Sequence, residues 1–496
     1  MYNLAQLKKY KDVNEMINNV NVLPRKFSDC TGYLDDKMTK YFGGDRTLSK
    51  EKVVELLVST SFGANSILYA VWLGYLMGMW AMIIHFAWCM SFYLLAKFSN
   101  QIYTHTSIHD FLSCHFGPIA KKVAAICSCI GLLYFAGWEI AIAKSGLDSF
   151  TMNSEMGKSW VWSVLLLVMI CIALLYTVIG GQRVNGYVNL IMNRIKAILL
   201  VAIGLGIFYS LSNNNQFKFD ILTPHFTDAL KSIGLTGLIT NIFINLSWQF
   251  VDNSSWQIIS SGCDVGMRTS SASLKRTGLK IFFIYAVETF LGASLRGILG
   301  LDSDNVLSGI VYIVGGQGNI LFVLCIVILL LLSMMSLIDG MSLSVAQTIM
   351  VDLNFGEIIK KIKPNRQSGV QTARIITLFL GALAAWGIQF ALAGFGKSIF
   401  DFVYVFTIVQ LSLIGPIIIG LVFQPKCIQR MWISIIISLI LGFLFNILGN
   451  AYSISWLSDV AGTVTAVSSF IISVFLLIVS QNYKNNKEML LRKRKE

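Results

Sequence analysis

The sequence predicts an all-α polytopic membrane protein of about 12 spans, and three observations carry that prediction. Hydrophobic residues make up 55% of the chain and charged residues only 13%, against roughly 25% charged in a soluble globule. Segments long enough to cross the hydrocarbon core, which takes ~20 apolar residues, recur near 54–77, 79–98, 122–147, 161–180, 190–210, 234–258, 278–300, 320–350, 373–395, 399–422, 430–448 and 461–480. Their apolarity is continuous rather than alternating, which selects helices over a barrel. Finally, the basic residues alternate between the two sides. With the N-terminus in the cytoplasm, the even-numbered gaps hold Lys121 and Lys122, Arg183, then Arg268, Lys275 and Arg276, then Lys360, Lys361, Lys363 and Arg366, then Lys426 and Arg430. The tail ends NKEMLLRKRKE, whereas the odd-numbered gaps hold little besides Lys158, Lys218 and Lys397.

That positive-inside pattern puts both termini in the cytoplasm of a plasma (bacterial inner) membrane. It also accounts for the net charge of +13 without a nucleic-acid partner. The lipid bilayer is the partner the composition requires, and no obligatory protein partner is evident. Residues 1–53 form a polar lead-in without an apolar core, so no cleaved signal peptide is expected. Short loops then leave function to the spans.

Span one gathers Ser59, Thr60, Ser61, Gly63, Asn65 and Ser66. Consecutive helical residues cannot all face one partner, so this stretch is either opened at Gly63, exposing carbonyls that hold a cation, or packed tightly through small residues. In span three, Tyr134 and Trp138 share a helical face, with Glu139 on the adjacent flank. Span six reads NLSWQFVDNSSWQ, Asn245–Gln257, the densest polar patch of any span. Glu288 and Arg296 in span seven share a face but stand too far apart to touch. Span eight carries Asp339 among Ser333, Ser336, Ser342 and Ser344. An acid at membrane depth marks a path, a partner or a site, and a structural ion pair is the competing reading for each of these charges.

Other chemistry is disfavoured. The 9 cysteines are scattered, and Cys127 and Cys129 read as small apolar fillers. His105, His109 and His115 cluster after span two without the spacing of a metal site. Gly315, Gly316 and Gly318 form a Gly-rich turn that lacks the Lys-Ser/Thr ending of a phosphate loop. No hydrolase elbow or haem ligand pair is present, so neither an enzyme nor a cofactor is expected.

Four ordered stretches resemble the sodium/solute symporter family, whose members carry proline, sugars, pantothenate or anions. They are YFGGDRTLS at 41–49 with VSTSF at 58–62, YTHTSIHDFLSCHFGP at 103–118, YTVIGGQRV at 176–184, and MSLIDGMSLSVAQTIMVD, Met335–Asp352. The resemblance implies two inverted five-helix repeats, here 54–210 and 234–422, with two additional C-terminal helices at 430–480 and a basic tail at 481–496. The first helix of each repeat is then broken near mid-membrane, with solute bound beside the breaks.

The implied activity is cation-coupled uptake of a small polar organic solute by alternating access; an uncoupled facilitator or a transporter-like solute sensor is the alternative. The implied solute contacts are Asn65, Ser66, Trp138, Glu139, Trp248, Asp252 and Asn253. The family's polar signature in span six falls on Asp252, Asn253 and Gln257, with Ile258 where an arginine is usual. Sodium is the coupling ion implied, with a proton as the alternative. Its site maps onto Ser59, Phe62, Ser333 and Ser336, anchored from Arg46. Two positions depart from the pattern: Leu337 replaces a second hydroxyl, and Asn189 replaces an acid. Leucine offers a hard cation no side-chain oxygen. Asp339, which the family pattern lacks, is expected to compensate.

Overall fold

The computed structural model describes residues 36–43, 48–148, 159–213, 222–262, 267–296, 320–362, 368–395, 401–425, 428–452 and 454–493. The lead-in before residue 36, Arg46 and the Gly315–Gly318 turn lie outside the described residues. The named elements are all helical, and a bridge between Leu48 and Gly262 is the isolated extended pairing recorded among the described residues. Nine helices among those residues are long and apolar enough to cross a membrane. The chain is an all-α polytopic integral membrane protein.

We number the helices in chain order: α1 Asp36–Gly43, α2 Lys50–Ser59, α3 Ala64–Met77, α4 Met82–Ala96, α5 Ser99–Tyr103, α6 Ile108–Asp148, α7 Ser159–Asn213, α8 Phe226–Val251, α9 Asn253–Ser260, α10 Met267–Leu295, α11 Ile320–Gln347, α12 Phe355–Ile362, α13 Ser368–Phe395, α14 Asp401–Leu411, α15 Ile414–Phe423, α16 Trp432–Ala451 and α17 Ser455–Lys493. Span one is thus two helices, α2 and α3, separated by an extended Gly63 (φ −92°, ψ 174°). Span six is likewise two, α8 and α9, separated by an extended Asp252 (φ −76°, ψ 99°). Spans four and five form the single helix α7, bent at Gly181 (φ 57°, ψ −152°). A Cβ on Gly181 would stand 2.2 Å from the Tyr41 carbonyl oxygen, so both the left-handed backbone and the contact demand glycine. Either side of that bend is long enough to span.

Burial follows the membrane rather than water. Ile179, Ile198, Leu205, Ile375, Phe379, Ile447 and Phe475 are exposed outward, a surface that only lipid would cover without cost. The interior holds the polar side chains instead, among them Glu139, Lys196, Glu288 and Asp339. Small residues let helices approach closely. A Cβ on Gly74 of α3 would lie 2.3 Å from Thr289 O, and one on Gly292 of α10 would lie 1.9 Å from Val71 O. This two-glycine crossing brings the second half of span one against span seven. Gly292→Ala should therefore lower stability by about 1–3 kcal/mol through overpacking, read as a depressed melting temperature of the detergent-purified protein. An unchanged melting temperature would show that α3 and α10 can separate at no cost.

Candidate functional site

Breaking a helix frees backbone groups that a membrane interior cannot hydrate. At the span-one break these groups are met one by one. The Glu139 carboxylate, reaching over from α6, accepts hydrogen bonds from Ala64 N and, at 3.0 Å, from Asn65 N. It is an acid held at the N-terminus of α3, the end at which the helix dipole favours negative charge. The Ser61 carbonyl accepts from Tyr285 Oη at 3.1 Å. The Phe62 carbonyl accepts from Lys196 Nζ at 2.8 Å. The Gly63 carbonyl accepts from Ser66 Oγ at 2.8 Å and from Ile67 N.

The span-six break is satisfied from within. Asp252 is the N-cap of α9, and its carboxylate accepts from the backbone N–H groups of Ser254 (3.1 Å) and Ser255 (3.3 Å) and from both serine hydroxyls. Asn253 turns the other way: its Oδ1 accepts from Ile108 N, and its Nδ2 donates to Thr348 Oγ1, each at 3.1 Å.

A cavity of about 450 Å³ opens beside the two breaks, within the range of small-molecule sites. Thr60, Ser61, Asn65 and Ser66 form one side, and Asn241, Asn245 and Trp248 of α8 form another. The aromatic wall is continuous. Trp88 stacks on Trp248 (centroids 6.0 Å apart, 20° between planes), Trp248 meets Phe135, and Phe406 touches Phe135, Trp138 and Trp248. The amides of the wall are already oriented: Tyr69 Oη donates to Asn241 Oδ1 at 2.6 Å, and Asn245 Nδ2 donates to Asn241 O. His85 differs. It is 1% exposed, lines the cavity, and has no hydrogen-bond partner at either ring nitrogen. A buried polar group left unpaired calls for an explanation, and a bound polar solute is one.

On the far side of the breaks lies a polar plug. Asp352 accepts from His109 Nδ1 at 2.8 Å and from Ser107 Oγ at 3.0 Å, with Lys121 Nζ at 3.6 Å. His109 Nε2 meets Ser128 Oγ at 2.9 Å. The plug ties the start of α6 to the end of span eight, and Asn253 joins it through Ile108 and Thr348.

Of the seven expected solute contacts, Asn65, Ser66, Trp138 and Trp248 lie on the cavity wall. Glu139, Asp252 and Asn253 do not, and the reason is shared: each is fully engaged in satisfying backbone or closing the plug. The three histidines do not cluster either. His105 pairs with Asp110 at 3.4 Å, with Cys114 nearby; His109 joins the plug; and His115 meets the Pro425 carbonyl.

Of the expected ion ligands, Phe62 O and Ser336 Oγ come together, but around Lys196 Nζ, 2.8 Å from each. Ser333 O accepts from Ser336 Oγ at 2.9 Å. Ser59, whose carbonyl was the expected ligand, is the last residue of α2, and its hydroxyl donates back to Leu56 O. Asn189 and Asp339 meet directly, Nδ2 to Oδ2 at 3.0 Å, with Tyr176 Oη on the same oxygen at 2.6 Å. Sequence reasoning passed over Lys196 and His85. His85, with apolar neighbours on both sides, could have been singled out, whereas Lys196 stands two residues after Arg194 near the start of its span and reads with it as an orientation signal.

The arrangement of helices is one that solved integral-membrane transporters share. Over 88% of this chain and 92% of the other, it superposes on a Na+-coupled sialic acid symporter in a substrate-bound outward-open state, at 12% identity and a TM-score of 0.64. A nucleobase-cation-symport-1 family transporter, closed with bromovinylhydantoin bound, matches over 90% of this chain and 95% of its own at 14% identity and a TM-score of 0.61. MhsT in complex with L-phenylalanine matches over 88% of this chain and 98% of its own at 16% identity and a TM-score of 0.52. At these identities the likeness is one of fold. No protein-family description and no curated protein matches the sequence.

The cap at the span-six break yields a test. Asp252→Ala leaves the first N–H groups of α9 unpaired inside the protein, and should cost about 0.5–2 kcal/mol of stability. Asp252→Asn, which can still cap, should restore most of it. A solute affinity that falls in both variants while the melting temperature stays unchanged would put Asp252 back at the solute.

Proposed function

We propose that this chain is a secondary active transporter that takes up a small polar organic solute, driven by a cation gradient and working by alternating access. The observation that carries the reading is the cavity between two broken helices, which runs along α3 and α8 out to Leu76, Ser232, Ile233 and Asp459, with the His109–Asp352 plug on the other side of the breaks. A site reachable from one side and sealed on the other is what alternating access requires. The three similar structures support it, being described with a sialic acid, a hydantoin and an amino acid as their small-molecule partners.

Membership of the sodium/solute symporter family, with repeats at 54–210 and 234–422 and a C-terminal pair at 430–480, is part of this proposal. So are a plasma-membrane location with cytoplasmic termini and the absence of enzymatic activity. On that orientation the cavity opens outward and the plug faces the cytoplasm. The description of the sialic acid carrier as Na+-coupled supports a cation as the driver. An uncoupled facilitator is the second reading, favoured by Leu337 and Asn189, which withhold one hydroxyl and one negative charge that the family's sodium site uses.

The chemistry of the cavity describes the solute. Trp88, Trp138, Trp248 and Phe406 offer ring faces, Asn241 and Asn245 offer amides, and His85 offers an unpaired ring nitrogen. A solute with one flat or apolar face and a hydrogen-bonding edge fits these walls. Protein in liposomes should concentrate such a solute under an inward sodium or proton gradient. Binding and counterflow without gradient-driven accumulation would favour the facilitator, and binding without any exchange would favour a sensor. His85→Phe, which keeps the ring and removes the nitrogens, should weaken solute affinity about tenfold, the worth of a buried hydrogen bond. Unaltered affinity would take His85 out of the site.

A further inference from the structure

From the crossing of spans one, five and eight we infer that the Lys196 ammonium is a cation built into the chain at the place a coupling sodium would take, and that it closes that place to sodium. Lys196 belongs to the second half of α7 and is fully buried. Its Nζ donates to Phe62 O on the opened turn of span one and to Ser336 Oγ on α11, both at 2.8 Å, and lies 4.5 Å from the Phe62 ring centroid. Those two oxygens are two of the four positions on which the sodium site of the resembling family maps, one from each side of the crossing, the others being Ser59 and Ser333.

The residues present do not fit a sodium ion there. A small hard cation needs several oxygens converging on one point. An ammonium donates only and ligates nothing. Two more carbonyls of the opened turn are engaged as well, Ser61 O by Tyr285 and Gly63 O by Ser66. On the flank where the family supplies a second hydroxyl stands Leu337, whose Cδ1 would be 2.7 Å from a Cβ on Gly63. Asn65 Oδ1 and Glu139 Oε1 stand at 2.7 and 2.8 Å from that same point, and the Glu139 carboxylate is already engaged by Ala64 N and Asn65 N.

The side chain stands in the field of buried acids. Glu139, Asp339, Glu288 and Glu55 are the electrostatic neighbours of Lys196. They come from α6, α11, α10 and α2, so one lysine sits among acids from four packed elements. A mobile ion would tie span one to span eight only when bound. Lys196 makes the same tie at all times, independent of external sodium.

The test needs neither solute nor bilayer. The melting temperature of the detergent-purified wild type is measured in sodium chloride and in choline chloride at equal ionic strength. The wild type should show no sodium-specific shift. Lys196→Ala frees Phe62 O and Ser336 Oγ beside unbalanced carboxylates, and should gain a sodium-specific stabilisation of about 2 °C or more. Ser336→Ala in that background should remove it. If Lys196→Ala does not fold, Lys196→Gln keeps most of the side chain's reach, adds an acceptor oxygen, and carries the same expectation. A sodium-specific shift of the wild type that Ser336→Ala abolishes overturns the inference, as does indifference to sodium in every folded Lys196 variant. The inference concerns the coupling ion of the proposed transporter, yet its failure is separable. Absent uptake in liposomes counts against transport alone, and the melting series reads the crossing alone.

Discussion

Everything near the centre of this protein follows from one constraint: a helix opened inside a membrane must have its loose N–H and C=O groups answered by protein. Spans one and six are both open, and they are answered differently. Span six carries its own acid, Asp252, which folds back on Ser254 and Ser255. The opened turn of span one carries none, so its N–H groups take Glu139 from α6, and its carbonyls take Tyr285 from α10 and Lys196 from α7. Satisfying one short turn therefore recruits three other helices. That is why charged residues in α6 and α7 are buried where an apolar side chain would otherwise pack.

The same accounting separates what can move from what cannot. The α3 half of span one is pinned to span three through Glu139 and to α10 through the Gly74–Gly292 approach. The end of span eight is pinned to the start of α6 through Asp352, His109 and Ser107. The first tie uses backbone and a buried acid and is stiff. The second uses side chains, with Lys121 at its partly accessible rim. A transition that opened the far side of the cavity would have to break the second tie and could leave the first intact. Rigid elements with two discrete arrangements are how such changes are carried.

Much of this was legible in the residues. Continuous apolarity and alternating loop charge define a polytopic helical protein, and Gly63 together with the polar run of span six mark both breaks. Asn65, Ser66, Trp138 and Trp248 were readable as cavity residues because amides and tryptophans beside a break have few other uses. Asp252 was read from the family's polar signature and Glu139 from its charge beside Trp138, both as solute contacts. Their actual partners are backbone N–H groups whose freedom depends on where each helix resumes, and that register is set by tertiary packing. Lys196 was hidden for a related reason. A lysine near the start of a span counts as an orientation signal until the helix is placed, and only the bend at Gly181 shows that its turn faces span one.

The departures from the sodium/solute symporter pattern make sense together and not singly. The pattern pairs a mobile cation with a fixed acid in span five. Here the acid position is Asn189, and an acid the pattern lacks, Asp339, lies across the interface and accepts a hydrogen bond from that asparagine. The hydroxyl position is Leu337, and a cation the pattern lacks, Lys196, stands on the surviving hydroxyl of Ser336. A buried acid without a nearby cation is costly, and so is a buried lysine without acids. Introducing either alone would destabilise the crossing, whereas both together keep it near neutrality. Asn189, Lys196, Leu337 and Asp339 thus belong to one local arrangement, in which the Lys196 side chain bonds Phe62 O and Ser336 Oγ while Asn189 bonds Asp339.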